Sequence, residues 1–175
     1  MNIFVTDPDP VVCARVLPDK HIVKMPLECC QMLSIVASDK WGRGYGTLPK
    51  ADGTPYSTDK GAFRKHPCTV WTGEFVLNWR WLIRHGLALC EEYSHRYQRI
   101  HKCLHTLTVA NQIFPFGDPA GRSGKETTPF VRAMPNEYKL DTSIDTFTAY
   151  KMYIASKPWV ASNYVRDPSR KPDWL

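Results

Sequence analysis

The chain has 175 residues, of which 43% are apolar and 12% aromatic, so it can bury a core of its own and is not a disordered protein. Twenty-three Lys and Arg against 17 Asp and Glu give a net charge of +6, which favours an acidic partner such as nucleic acid, although a basic protein without a polyanion partner fits the charge equally well. No uncharged apolar run is long enough to cross a membrane, and the first residues lack the pattern of a secretory leader, so we expect an intracellular protein without a membrane partner.

The N-terminal third predicts a short strand and two helices. "NIFVT" is rich in β-prone residues, and "DPDP" supplies the turn and the N-cap for a helix from about Pro10 to Arg15. Asp19 is expected to cap a second, long helix that ends at about Ser38. Residues 41–65 are rich in Gly and small polar residues, which indicates a long loop or a weak hairpin.

The helix from Asp19 has a narrow polar stripe. At 100° per residue, His21, Lys24, Glu28 and Gln31 fall within a sector of about 80°, and the other faces are apolar. Pro26 frees the carbonyl of Ile22 and is expected to bend the helix beside this stripe. An ordinary solvated face would explain such a stripe, but its narrowness favours a partly desolvated carboxylate suited to acid/base chemistry, which makes Glu28 the first candidate for catalysis.

Pro67 predicts the first turn of another long helix, with Gly86 as the point where it bends or splits. On one continuous helix, a sector of about 80° would hold Trp71, Glu74, Asn78, Trp81 and His85. Trp and Asn side chains can stack on a base and bond its edge, although core packing explains either Trp as well. Six arginines and lysines are candidate phosphate contacts, or ordinary surface charges: Arg64, Lys65, Arg80, Arg84, Arg96 and Arg99.

Several other motifs predict little chemistry. The six cysteines form no C-x-x-C pair and are expected to be reduced thiols, and His101 and His105 lack a third ligand, so we predict no metal site. "GRSGKETTPF" lacks the spacing of a phosphate-binding P-loop and is expected to be a flexible loop that contacts phosphate at most. "SIDTFTAYKMYIAS" predicts a helix begun by Ser143 or Asp145 and limited by Pro158, and residues 160–175 form a basic, aromatic tail. We therefore expect a single all-α domain with long loops.

The stretch "DKHIVKMPLE", in which His21 precedes Glu28 by seven residues, resembles the phage endonuclease V family. "HPCTVWTGEFVLNWRWLIRHGLALCEEYSHR" is similar to the long central helix of that family, and "MPNEYKL" and the terminal "KP-x-W" resemble its C-terminal segments. Members are small all-α pyrimidine-dimer DNA glycosylases with abasic-site lyase activity, in which an α-amine attacks the sugar C1′ and a Glu assists. The resemblance therefore implies a protein that acts on duplex DNA in the cytoplasm of a phage-infected bacterium.

By this resemblance the catalytic residues are Met1, Glu28 and His21. Met1 supplies the amine, because Asn2 is too bulky for efficient removal of the methionine. Arginines of the family correspond here to Asn2, Leu27 and Gln31, and Lys20, Lys24 and Arg64 are expected to replace their phosphate contacts. The expected DNA-binding residues are Asn2, Lys20, Lys24, Gln31, Arg64, Lys65, His66, Trp71, Asn78, Trp81 and His85.

The sequence thus favours a monomeric DNA N-glycosylase with abasic-site lyase activity and no cofactor. It acts on damaged or modified pyrimidines that it exposes by flipping or distorting the duplex. Two alternatives stay open. One is an enzyme that uses the same carboxylate pocket on modified bases or free nucleotides. The other is a non-catalytic protein that binds nucleic acid or a host protein, since one scaffold can host several functions.

Overall fold

A computed structural model describes residues 1–117 and 126–175. Within these residues the fold is all-α, as the sequence predicts. Its seven α-helices are α1 (Pro10–Arg15), α2 (Asp19–Ala37), α3 (Pro67–Glu74), α4 (Val76–Tyr97), α5 (Cys103–Ile113), α6 (Asn136–Lys139) and α7 (Thr146–Ala155). Short 3₁₀ helices lie at Ser57–Lys60 and Pro168–Arg170. No helix of the described residues is both long and apolar enough to cross a membrane.

Helices α2 and α4 form the centre of the core. α4 packs against α1, α2, α3 and α5, and α2 also contacts α3 and α5. Trp79, Met32 and Leu33 are fully buried at this centre, together with the cysteines Cys29 and Cys30. Because these two helices are surrounded by others, most of their faces are apolar, and the few polar groups among them must be paired.

Side-chain caps explain three of the helix boundaries. Asp9 accepts hydrogen bonds from the backbone N–H groups of Val11 and Val12, which confirms the predicted helix from Pro10 to Arg15. Asp145 caps α7 by accepting from Thr148, and His66 caps α3 by accepting from Cys68. Pro67 occupies the first turn of α3, as predicted.

The expectation that Asp19 caps α2 is wrong. Pro18 holds the cap position, and Asp19 is the first helical residue. Its carboxylate instead accepts hydrogen bonds from the Arg96 guanidinium and from the backbone N–H groups of Val165 and Arg166. Asp19 therefore ties the start of α2 to α4 and to the C-terminal tail.

The long central helix is divided at a different residue from the one predicted. Phe75 has extended backbone angles and separates α3 from α4, whereas Gly86 lies within α4. A Cβ atom at Gly86 would lie 2.6 Å from Leu107 Cδ2 and 3.3 Å from Cys29 Cβ, so this glycine permits close packing of α2, α4 and α5. Gln98, in the left-handed conformation, ends α4, and residues 103–113 form a separate helix that the sequence did not predict.

The N-terminal strand expected at "NIFVT" is absent from the described residues, because no other segment there forms a strand to pair with it. Residues 2–6 instead run as a buried, irregular segment across the core. Residues 41–65 are a loop that contains one isolated antiparallel bridge, between Pro49 and Pro55, and this agrees with the predicted loop or weak hairpin.

Candidate active site

Asn2 fixes the path of the N-terminal segment. Its side-chain oxygen accepts hydrogen bonds from the backbone N–H groups of Ile3 and Phe4, and its amide nitrogen donates to the carbonyl of Ala133 at 2.6 Å. Phe4 follows in the left-handed region, with φ of 43°. Asn2 is buried and its side chain is engaged by the protein itself, so the structure gives it a positioning role and not the DNA contact predicted for it.

The buried carboxylate of Glu28 lies against this segment. Its Oε2 atom accepts a hydrogen bond from the backbone N–H of Asn2 at 2.7 Å and lies 4.0 Å from the α-amine of Met1. Its Oε1 atom pairs with Lys24 Nζ at 3.1 Å. Met1 and Glu28, hereafter the amine–carboxylate pair, are thus brought together as the sequence predicts.

Met1 presents mainly its backbone to solvent. The Met1 side chain is only 3% exposed and accepts a weak hydrogen bond from Thr69 Oγ1 at its sulfur, whereas the residue as a whole is half-buried. The side chain therefore anchors the terminus in the protein, and the accessible part is the end that carries the amine.

An aromatic layer, formed by Phe4, His21, Tyr153 and Trp159, covers one side of the segment. His21 stacks on Phe4 with ring centroids 4.2 Å apart and meets the edge of Trp159 at 5.6 Å. Burial, with help from the charges of Lys157 and Lys24, lowers the pKa of His21 to about 3, so this imidazole is neutral at physiological pH. Its Nδ1 atom is buried and has no hydrogen-bond partner among the residues that the structure describes.

The polar stripe of α2 differs from the one predicted. Lys20 and Lys24 are exposed and Gln31 is half-buried, but His21 and Glu28 are buried, and Val23 and Leu27 share the exposed face. Lys20 Nζ lies 4.5 Å from the Trp159 ring centre, and Lys157 Nζ lies 4.0 Å from that of Tyr153. The accessible face beside the amine–carboxylate pair is therefore aromatic and positively charged.

A tight turn at residues 61–66 precedes the part of α3 in which Thr69 contacts Met1. Arg64 and Lys65 are exposed, and the Arg64 guanidinium lies over Trp41 and donates to the carbonyl of Gly61 at 3.0 Å. His66 ends the turn, and its pKa is lowered by burial and by the positive N-terminal amine, while Glu28 acts in the opposite direction. His66 therefore lies within electrostatic reach of both members of the pair.

Four predicted DNA contacts are internal. Trp71, Asn78 and His85 are fully buried and Trp81 is nearly so, so Trp71 and His85 offer no open ring face for a base and Asn78 has no exposed amide. Asn78 donates to the carbonyl of Trp71 and to Thr128 Oγ1, at 2.7 Å each. These residues pack in the core, which is the alternative that the sequence left open for the tryptophans. They join α3 and α4 to residues 127–130. Glu74, from the same predicted sector, is exposed.

Other predicted contacts are dispersed. Arg96 is buried and bonds to Asp19, Glu92 and backbone carbonyls, which excludes it as a phosphate contact. Arg80 packs on Phe116, and Arg84 and Arg99 are exposed.

In "GRSGKETTPF", residues 121–125 lie outside the described residues. His101 bonds to the carbonyl of Val23 and to the N–H of Cys103, and within the described residues no three His, Cys, Asp or Glu side chains could hold a metal ion.

Residues near the C-terminus also form part of this site, and the sequence patterns do not predict them. Ala133, Tyr153, Lys157 and Trp159 contact the N-terminal segment or the start of α2 from more than 100 residues away. The resemblance of "MPNEYKL" to a family segment was the one signal near them, and no local pattern could show that this segment reaches the N-terminus.

The arrangement suits covalent attack on an electrophilic carbon. An α-amine is a competent nucleophile when it is neutral, and a carboxylate 4.0 Å away can accept its proton. The hydrogen bond from Asn2 and the contact with Lys24 hold the carboxylate in place, and the positive face beside it suits a phosphate backbone.

The family model described as pyrimidine dimer DNA glycosylase matches residues 1–105, which is 105 of the 175 residues and includes Met1, His21, Glu28 and His66. No curated protein and no solved structure matches the chain. The resemblance inferred from the seven-residue interval between His21 and Glu28 is confirmed, and the chain belongs to the family of pyrimidine dimer DNA glycosylases.

Proposed function

We propose that the protein is a DNA N-glycosylase with abasic-site lyase activity that acts on damaged or modified pyrimidines in duplex DNA. The observation that carries the proposal is the amine–carboxylate pair, with the α-amine of Met1 4.0 Å from Glu28 Oε2 beside a positively charged face. Family membership supports a glycosylase that acts on DNA.

The reaction begins with the neutral amine of Met1. Its lone pair attacks the sugar C1′, the C1′–N bond breaks with its electron pair on the base, and the base takes a proton from water as it leaves. Glu28 accepts the proton released by the attacking amine and passes it to O4′ as the C1′–O4′ bond breaks. The ring is then open, with a hydroxyl group at C4′ and a protonated imine between C1′ and Met1, and Glu28 is again a carboxylate.

The same carboxylate serves the lyase step. Glu28 removes a proton from C2′, the electron pair forms the C2′–C3′ double bond, and the C3′–O3′ bond breaks with the phosphate as leaving group. Water then hydrolyses the imine and frees Met1. The neutral His21 and the aromatic layer hold the N-terminal segment during these steps, and Lys20, Lys24, Arg64 and Lys65 bind phosphates.

Borohydride trapping tests the proposal, because it reduces an imine to a stable covalent adduct. We expect an adduct on the N-terminal peptide with duplexes that carry a pyrimidine dimer or an abasic site. A variant extended by Gly-Ser before Met1 is the control, since its amine no longer lies beside Glu28, and it should give no adduct.

Other results of this experiment would favour a different mechanism or a different function. Strand cleavage without an adduct would remove the imine mechanism. Tight binding to every duplex without turnover would favour a non-catalytic DNA-binding protein, and turnover of free modified nucleotides alone would favour a nucleotide-processing enzyme.

A further inference from the structure

Phe63 is an exposed aromatic residue in a strained backbone conformation. The residue is 55% exposed, and its φ of 64° lies in the left-handed region, which bulky residues rarely adopt. Among the residues that the structure describes, no other ring stacks on it and no cation lies over it, in contrast to Phe116, whose ring contacts Arg80. Burial in the core therefore does not explain why an aromatic side chain is held here.

The turn that carries Phe63 is held by a backbone hydrogen bond and by close packing on Trp41. The backbone N–H of His66 donates to the carbonyl of Phe63 at 2.9 Å, and Gly61 packs so closely on Trp41 that a Cβ atom would lie 2.8 Å from the indole ring. Arg64 covers the opposite part of the same indole, at 4.6 Å from its centre. A ring on such a turn loses little conformational freedom when it inserts between other groups.

The position of Phe63 relates it to the amine–carboxylate pair. Thr69, six residues later, contacts the sulfur of Met1 at 3.8 Å, and His66, three residues later, is close enough to both members of the pair for their charges to shift its pKa. Three residues span at most about 10 Å, so Phe63 lies within a few base steps of the reacting sugar. Gly61, Phe63, Arg64, Lys65 and His66 line a shallow depression of about 360 Å³ at this place.

The residues that follow Phe63 suit the backbone of DNA. Arg64 and Lys65, which directly follow Phe63, are both exposed and can bind phosphates, so that the apolar ring beside them would face the stacked bases. Proteins that kink DNA insert Phe, Leu or similar side chains between base steps and so unstack them.

On the basis of the proposed function, we infer that Phe63 inserts into the base stack beside the lesion. The ring unstacks one base step, and this lowers the cost of exposing the sugar carbon to Met1. Phe63 is thus a positioning residue for the DNA and takes no part in the bond-breaking steps.

The test combines two substrates and two substitutions. We expect Phe63→Ala to slow cleavage of a lesion in intact duplex by about tenfold or more, because the duplex must then unstack unaided. Cleavage of an abasic site in single-stranded DNA should change less than about twofold, since nothing has to be unstacked. Phe63→Leu should restore most of the duplex activity, because it keeps an apolar wedge.

The control is Phe116→Ala, which removes a more exposed aromatic ring three residues beyond the end of α5 and should leave both activities unchanged. Equal loss of duplex and single-strand cleavage in Phe63→Ala, or no loss in either, would overturn the inference, as would failure of Phe63→Leu to recover.

A binding measurement tests the role of Phe63 independently of the proposed catalytic function. With 2-aminopurine in the base step next to the lesion, the wild-type protein should raise the fluorescence on binding, and Phe63→Ala should not. This readout needs no turnover, so the wedge is tested even if no substrate is cleaved. An equal rise with both proteins would contradict it.

Discussion

Glu28 uses its two carboxylate oxygens for different partners. Oε2 accepts from the N–H of Asn2 and faces the amine of Met1, whereas Oε1 contacts Lys24, whose side chain is 69% exposed. Because the ammonium group of Lys24 is exposed to solvent, this ion pair contributes little to stability, so Lys24 acts mainly on the charge at the site. The Oε2 side is the one that can exchange a proton with the amine.

Substitution of Glu28 by Gln keeps an oxygen for the Asn2 N–H but removes the proton acceptor. We expect strand cleavage at an abasic site to fall by about 10²–10⁴-fold, in the range of general acid–base catalysis, with little change in melting temperature. Lys24→Met removes the same ion pair but keeps the carboxylate, and cleavage should fall by less than about tenfold. An unchanged rate in Glu28→Gln would show that this carboxylate is not catalytic.

Two buried histidines make the stability depend on pH. Burial lowers the pKa of His21 to about 3 and that of His85 to about 4, from 6.5 in both cases. Below about pH 6.5 the unfolded chain therefore binds more protons than the folded chain, so the free energy of unfolding falls as the pH falls from about 6.5 towards 4.

His85→Gln should weaken this pH dependence. Each histidine contributes up to about 1.4 kcal/mol per pH unit, and less near pH 6.5, so the loss of stability between pH 6.5 and pH 5 should be smaller by about 1.5 kcal/mol in the variant than in the wild type. Urea unfolding at the two pH values measures the difference. Equal pH dependence in both proteins would mean that His85 is not held neutral in the fold.

At the scale of the elements, the end of α2 is packed tightly against the loop that follows. Gly42 donates its N–H to the carbonyl of Ser38, and a Cβ atom there would overlap the carbonyl oxygens of Ile35 and Val36. Trp41, next to it, supports the turn at residues 61–66. Gly42 therefore affects both the end of a core helix and the loop beside the active site.

Gly42→Ala should lower the free energy of unfolding by about 2 kcal/mol or more, because backbone atoms cannot move aside as a side chain can. Gly73→Ala is the matched control. Its Cβ would make only ordinary contact with Val36, at 3.5 Å, and Ala favours the helix, so we expect a gain of up to about 1 kcal/mol. Urea unfolding of both variants measures these effects, and equal destabilisation by the two would contradict the difference in packing.

The sequence predicts the elements best where a side chain caps a helix. Asp9 and Asp145 mark the starts of α1 and α7, and Pro67 marks that of α3, because capping depends on residues within one turn. The break at Phe75 has no such local signal. Gly86 fails as a break because its flexibility is overridden by close packing, which is a tertiary effect.

The candidate active site shows the same difference between local signals, which the sequence reveals, and long-range contacts, which it does not. The placement of Met1 beside Glu28 could be predicted from the sequence, because "DKHIVKMPLE", with His21 seven residues before Glu28, resembles the corresponding family segment. The aromatic layer could not, because Tyr153 and Trp159 join it from the C-terminal part of the chain. Long-range contacts of this kind leave no periodic pattern in the sequence.

At the scale of the whole molecule, some of the positive charges of the described residues lie where they can contribute to DNA binding. Lys20 and Lys157 both lie on rings of the aromatic layer, whereas Lys171 is exposed in the C-terminal tail. Positive charges that replace counterions on DNA make the affinity fall as salt rises, by about 0.9 in the logarithmic slope for each phosphate contact.

Replacing Lys20 and Lys157 by Met should therefore weaken duplex binding and reduce the salt slope by about two. Lys171→Met serves as the control for a lysine outside this face, with an expected change in slope below about one half. Fluorescence anisotropy at several salt concentrations measures both slopes. A similar loss in the control would show that net charge, and not this face, determines the affinity.

The hydrogen bond from Asn2 to Ala133 joins residues that are 131 positions apart. During synthesis the N-terminus leaves the ribosome long before Ala133, so a nascent chain has its α-amine but lacks the partner that fixes it. The proposed nucleophile can reach the position that this hydrogen bond fixes only after the segment around Ala133 has been made and has docked. Assembly of the proposed catalytic centre is thus coupled to synthesis of this segment, and a product terminated before Ala133 carries a free amine without an assembled site.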